Sequence, residues 1–175
     1  RAYAPSADPG LPVVAYLHGG GWTVGSIASF DGVARALAVA SGALVVSIGY
    51  RLAPEHKFPV PVDEAVAALR WLAERAEALG GDGARLAVAG DSAGANLAAV
   101  AARRLRDEGG PPLRMQALVY PVCDAALDTQ SAARFAEGYG FTAADMRRYW
   151  DLYLDGADGE DPDASPLRAG DLRGL

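Results

Sequence analysis

The sequence contains one cysteine, Cys123, and two histidines, His18 and His56, among 175 residues. A single thiol makes no intrachain disulfide, and no Cys/His spacing suited to a metal ion occurs. No apolar run reaches the ~18 to 20 residues that a membrane-spanning helix needs. A basic stripe is missing too. The formal net charge is −6 with both signs interspersed, which argues against nucleic acid or an anionic membrane surface as partner. The run Arg103-Arg104-Leu105-Arg106 reads instead as the last turn of a helix, where the macrodipole favours cations. There is no internal repeat, no low-complexity segment and no visible signal peptide, although the first residue is Arg1 rather than Met. A cytoplasmic location is the resulting expectation.

What is present is ample material for a core, since 51% of the residues are hydrophobic. The length suits one ordinary domain. Short apolar runs at 13–17, 43–48, 85–89 and 115–120 read as buried strands. Helical periodicity fills the intervals at about 30–40, 62–79 and 93–107, with Val66, Leu69, Leu72 and Ala76 on one face of the second. Gly42, the 80–83 glycine cluster and the 109–112 turn punctuate them. This β-α-β-α-β-α-β alternation predicts a mostly parallel sheet covered by helices on both faces. After Pro121 the pattern changes. Residues 123–140 read as irregular, and Thr142 with Asp145 reads as a capping box opening a helix to about residue 154. That helix carries an aromatic face of Met146, Tyr149, Trp150 and Tyr153. The tail from 155 to 175 reads as loop. An insertion at about 122–155 follows the carboxyl end of a sheet strand, the side on which open α/β folds bind ligands.

Two motifs carry chemistry. Gly90-Asp91-Ser92-Ala93-Gly94 stands between a strand and an Ala-rich helix. A G-x-S-x-G run in that setting is a sharp turn that exposes a serine nucleophile, with the amide of the next residue, Ala93, facing the developing oxyanion. His18-Gly19-Gly20-Gly21 follows the first strand. Glycines there let bare backbone N–H groups approach a substrate carbonyl, as a second set of oxyanion donors. The competing reading of the glycine run alone is a flexible turn. A glycine run after one strand and an elbow about 70 residues later favour the catalytic reading.

His18-Gly19-Gly20-Gly21-Trp22, Tyr50-Arg51-Leu52-Ala53-Pro54-Glu55-His56 and Gly90-Asp91-Ser92-Ala93-Gly94-Ala95-Asn96-Leu97-Ala98 together resemble the hormone-sensitive-lipase-like family of α/β-hydrolases. Tyr120-Pro121-Val122 and Ser165-Pro166-Leu167 are similar to it as well. The resemblance implies an α/β-hydrolase fold and a serine carboxylesterase acting on short- to medium-chain acyl esters without a cofactor. It implies Ser92 as nucleophile and the amides of Gly20, Gly21 and Ala93 as oxyanion hole. Gly19 would shape the turn, His18 would brace the glycine loop, and Asp91 would hydrogen-bond within the elbow.

A catalytic triad in this fold runs Ser, then Asp or Glu, then His along the chain. No histidine follows Ser92. His56 matches the family's own Ala-Pro-Glu-His, where a structural role is expected. Asp124 follows the fourth strand, where some relatives of the fold place an acid; it reads equally as a loop carboxylate that orients the insertion. The chain is therefore expected to be an interior segment of a longer enzyme, truncated at both ends and catalytically crippled alone. Exposed sheet edges would promote self-association. The alternative is a non-catalytic small-molecule-binding protein on the same scaffold, and an amidase or lipase is a third reading.

Overall fold

A computed structural model describes residues 1–175. Five strands form one sheet: β1 (Ala2–Tyr3), β2 (Leu11–Leu17), β3 (Leu44–Ile48), β4 (Gly81–Asp91) and β5 (Gln116–Val119). Their order across the sheet is β1-β3-β2-β4-β5. β2 runs parallel to β3 and β4, and β4 parallel to β5. Only β1 is antiparallel, pairing Ala2 with Val46.

Strand alternation sends side chains to opposite faces, and both faces here are apolar. Val13, Ala15 and Leu17 of β2, Leu44 and Val46 of β3, and Leu86 and Val88 of β4 join a cluster of 27 buried residues. Two helices cover that face: α2 (Val60–Arg75) and α3 (Ala93–Asp107). Val14, Tyr16, Val45, Ala87 and Ala89 point the other way, into a cluster of 9. One helix, α1 (Asp31–Ser41), covers them through Ala34 and Ala38. The thick core therefore lies on the α2/α3 side, and the predicted two-sided cover is present.

Several boundaries differ from the sequence reading, each for a local reason. α2 stops at Arg75 and tightens into a 3₁₀ turn over Ala76–Leu79. β4 begins at Gly81, not 85, because Gly81 and Asp82 pair with Leu11 and Pro12 before the register shifts to Val13–Leu86. Residues 83–85 loop out there, held by the Asp82 carboxylate, which accepts the Ala84 N–H at 2.9 Å and the Arg85 Nε–H at 2.9 Å. The segment read as irregular contains the short α4 (Gln130–Arg134), capped by Thr129. α5 (Ala143–Leu154) carries both halves of the Thr142/Asp145 capping box. The tail read as loop holds a 3₁₀ turn at Pro166–Arg168, and Ala164 and Ser165 in front of it are completely buried.

Candidate active site

Ser92 stands between β4 and α3 at φ 51, ψ −119. A side-chain-bearing residue rarely adopts that region, so its surroundings must hold it there. They do so from both directions. The Ser92 N–H donates to Val119 O of β5 at 2.9 Å, and the Ser92 carbonyl accepts the Asn96 N–H at 3.0 Å. Gly94 allows the close approach: a Cβ there would fall on the Leu17 carbonyl oxygen and 2.5 Å from that of His18. The first turn of α3 therefore lies directly on the end of β2, where the glycine loop begins.

That loop is tied to the elbow by Asp91. Its Oδ1 accepts the Tyr16 hydroxyl at 2.6 Å and the Gly19 N–H at 2.9 Å. Burial and this carboxylate together push the Tyr16 phenol well above its ordinary range. Gly20 (φ 122) and Gly21 (φ 56) turn the chain, and the Gly20 carbonyl accepts the N–H groups of Thr23 at 3.0 Å and Val24 at 2.9 Å. The Gly20 and Gly21 N–H groups have no acceptor within the chain. Ala93 is the first residue of α3, a position whose N–H has no intrahelical acceptor. Three backbone donors are thus left for a guest at the carboxyl edge of the sheet.

His18 is 1% exposed. Its ring stacks on Tyr50 at 4.5 Å and on Phe30 at 5.4 Å. Nδ1–H donates to the Gly19 carbonyl at 2.8 Å, and the Tyr50 hydroxyl donates to the His18 carbonyl at 2.7 Å. Burial lowers the imidazole pKa. The ring is packed into the base of the glycine loop. His56 lies elsewhere, in the loop before α2, with its N–H on Leu52 O at 2.9 Å. No imidazole follows Ser92 in these residues.

Ser92 opens into a cleft of about 520 Å³ lined mainly by apolar groups, among them Val122, Leu127, Phe141, Met146 and Leu167. Asp124 also lines it, but its carboxylate pairs with Arg168 at 3.0 Å and accepts the Ala126 N–H at 3.1 Å. Those bonds orient the loop after β5. A larger hollow of about 700 Å³ lies at the opposite end of β5, beside Met115, Gln116 and Leu175. Volume favours that hollow, yet the strained serine opens into the smaller cleft, and chemistry decides between them. No group of three or more His, Cys, Asp or Glu side chains is placed to hold a metal.

Sequence reasoning assigned no structural task to Asn96. Its side chain is fully buried and Nδ2 donates to Val122 O and Ala164 O, each at 2.8 Å. It thereby joins the nucleophile helix to two segments that line the cleft or lead into it. A polar residue four positions after the serine, on the apolar side of a helix, was the available signal. α5 was recognised as a helix, but its placement was not legible: Trp22 stacks on Tyr153 at 4.3 Å and lies 4.5 Å from Trp150, so α5 covers the glycine loop.

A family model described as the alpha/beta hydrolase fold matches residues 14–175. The chain is 53% identical over 135 residues to "Carboxylesterase NlhH" of Mycobacterium tuberculosis, covering 77% of this chain and 42% of that protein. It is 44% identical over 169 residues to "Ethyl acetate hydrolase" of Pseudomonas putida, covering 93% and 52% respectively. A solved alpha/beta hydrolase enzyme from the metagenome of Lake Arreo superposes with a TM-score of 0.95 at 44% identity, over 100% of this chain and 56% of that one. The chain spans about half the length of the curated relatives it matches.

Proposed function

The chain belongs to the alpha/beta hydrolase family, and from that membership we propose that it carries the nucleophile and oxyanion hole of a serine carboxylesterase. The observation that carries this reading is the strained backbone of Ser92 at the N-terminus of α3, beside two glycine amides with no acceptor. Ser92 Oγ attacks the ester carbonyl carbon. The carbonyl oxygen becomes an oxyanion that accepts hydrogen bonds from the Gly20, Gly21 and Ala93 N–H groups. Collapse of the tetrahedral intermediate breaks the bond to the alcohol oxygen, which leaves with a proton, and an acyl-serine remains. Water then releases the carboxylic acid and returns Ser92. One such donor supplies roughly 3 to 4 kcal/mol of barrier lowering. His18 and Asp91 act through the glycine loop, as supports.

Short- to medium-chain acyl esters are the proposed substrates. The apolar lining and size of the cleft support them, as do the printed names of the relatives, one an ethyl acetate hydrolase and another an acetyl-hydrolase of Streptomyces hygroscopicus. No histidine follows Ser92 in these residues, and it is after the serine that a triad of this fold takes its base. Alone, these 175 residues are therefore proposed to be severely impaired. The same absence favours one second reading, a non-catalytic small-molecule binder on this scaffold.

The deciding experiment assays p-nitrophenyl esters of graded chain length with the longest reading frame that contains these residues, and in parallel with the 175-residue chain. The esterase reading expects turnover by the long form, lost by on the order of 10⁵- to 10⁶-fold in Ser92→Ala. The short chain should stay near the uncatalysed rate. Turnover that survives Ser92→Ala overturns the assignment of the nucleophile. A long form that binds esters without turning them over supports the binder instead.

A further inference from the structure

The cleft beside Ser92 lies on the β5 side of the serine. Its lining comes from residues after β5, from Met146 of α5 and from Leu167, and none of it from the glycine loop. The near end is the turn after β5, where the Val122 N–H reaches the Ser92 carbonyl at 3.5 Å. A departing alcohol must collect a proton, and no imidazole lines this cleft. Its Asp124 carboxylate is taken up by Arg168 and the Ala126 N–H, and its Cys123 thiol donates to Pro121 O at 3.5 Å. An acyl chain needs no proton, only apolar surface. The far walls differ in how they are held. Leu127, Ala132 and Phe141 belong to a stretch, 127–141, whose hydrogen bonds join only its own residues and the Ala143 N–H. Met146 is on α5, which the Thr142/Asp145 capping box fixes at its start. One turn later Trp150 and Tyr153 pack around Trp22, and just past the helix Asp155 pairs with Lys57. Met146 itself is half-buried against the large core cluster.

We propose that Met146 is a specificity-determining residue: carried on the seated helix α5, it sets the length of acyl chain that the Ser92 cleft accepts. The inference rests on the serine-esterase reading and adds the limit on its substrate. A wall limits length only where it does not yield. A stretch held by its own bonds alone moves aside at little cost, whereas displacing Met146 means lifting α5 from Trp22. The thioether side chain bends to fit what lies against it but keeps its volume. Each methylene buried strengthens binding about fourfold, so affinity should climb with chain length until the chain meets Met146, and then stop.

The test has a binding arm, which needs no catalytic base, and a turnover arm. In the first, the 175-residue chain is titrated with 2-alkanones of about four to twelve carbons and affinity is read by ligand-observed NMR; parent affinity should rise about fourfold per methylene and then level off. A neutral carbonyl probe avoids repulsion by Asp124 and Asp128, which line the cleft. Met146→Ala should move the break about two to three carbons longer, into the space that the lost side chain leaves. Met146→Phe should move it shorter, and Met146→Leu, close in volume, should hold it within about one carbon. The phenylalanine variant decides if the alanine variant fails to fold. In the second arm, the longest reading frame is assayed with p-nitrophenyl esters of graded acyl length and with n-alkyl acetates. Met146→Ala should raise the decanoate-to-butyrate ratio of kcat/KM by roughly ten- to fiftyfold, as expected for a few methylenes at about fourfold each, and should not lengthen the acetate series. A break that stays in place in the folded alanine and phenylalanine variants overturns the proposal, as does a shift in the acetate series instead. A break that moves as expected without turnover by the long form removes the esterase reading and leaves Met146 as the limit of a binding cleft. If the ketones do not bind, the turnover arm decides alone; neither binding nor turnover overturns the proposal and the reading together.

Discussion

A serine at φ 51 stays there only while its neighbours make every relaxed alternative worse, and at Ser92 those neighbours are single residues with single tasks. Gly94 leaves room for the end of β2. Gly94→Ala should therefore cost about 3 kcal/mol, at the upper end for an overpacked core site, read as a lower urea midpoint. A midpoint within experimental error of the parent would show that the contact with Leu17 relaxes freely. Asp91 joins the elbow to the glycine loop through one oxygen shared by Tyr16 and Gly19. Bonds to a charged acceptor contribute roughly 1.5 to 3 kcal/mol, so Asp91→Ala should destabilise by about that much. His18 makes a pH prediction. Its folded pKa lies below the unfolded value of about 6.5 because burial disfavours the cation. At lower pH the unfolded chain then binds the proton more readily than the folded one. The stability tied to the neutral ring is present above the unfolded pKa and is lost as pH falls through the folded pKa. Urea midpoints between pH 7.5 and 5.5 should fall more steeply in the parent than in His18→Asn, and equal slopes would remove His18 from the balance.

At the scale of elements, Asn96 explains why part of the molecule was legible in the sequence and part was not. The strands and helices up to β5 announce themselves because each buries a repeating apolar face, at period 2 or 3.6, and two glycine-bearing motifs mark where strands end. The residues proposed for the oxyanion hole could be named from those motifs alone. The segments at 122–128 and 159–168 bury few apolar side chains and repeat nothing. They are held by individual bonds: Asn96 to Val122 O and Ala164 O, the Ala125 N–H to Ser165 Oγ at 2.9 Å and Ser165 Oγ–H to Gly159 O at 2.7 Å. Periodicity cannot show such partners, most of which lie tens of residues apart. β1, only two residues long, escaped for the same reason, being recognisable only through its pairing with β3. The capping box at Thr142 was readable, but the seat of α5 on Trp22 was not, because stacking partners leave no spacing in the sequence. Asn96→Leu removes both donors and strands two buried carbonyls, each at about 1 to 3 kcal/mol. A loss of roughly 2 to 6 kcal/mol is expected, with faster hydrogen exchange around 122–128 and 164–168. A variant as stable as the parent would mean that those segments are held by something other than α3.

For the whole molecule, the sheet ends on one side in β1, two residues long and antiparallel, and on the other in β5, whose outer edge has no partner. β5 is short, four residues between Pro112 and Pro121, and shortness is one of the ways an edge is kept from pairing. Other protections are missing: no charged side chain lies within Gln116–Val119, and Met115, Val119 and Tyr120 are 57%, 49% and 72% exposed. The hollow beside Met115 and Leu175 extends this apolar surface around the start of the strand. The net charge of −6 opposes association through repulsion, but that repulsion is screened within about 8 Å at physiological ionic strength, while apolar burial is not. Self-association of the 175-residue chain through the β5 side should therefore strengthen as salt is raised at fixed protein concentration. Light scattering at about 0.05 and 0.5 M NaCl reads this directly, the higher salt spanning the change from partial to strong screening. Val119→Lys places a charge on the open edge, a device natural edge strands use, and should return the chain to monomer at both salt concentrations. Arg35→Glu on α1, across the sheet from β5 and already exposed, changes the net charge in the opposite direction without touching the edge. It should leave salt-driven association in place, whereas a general charge effect would move both variants, in opposite senses.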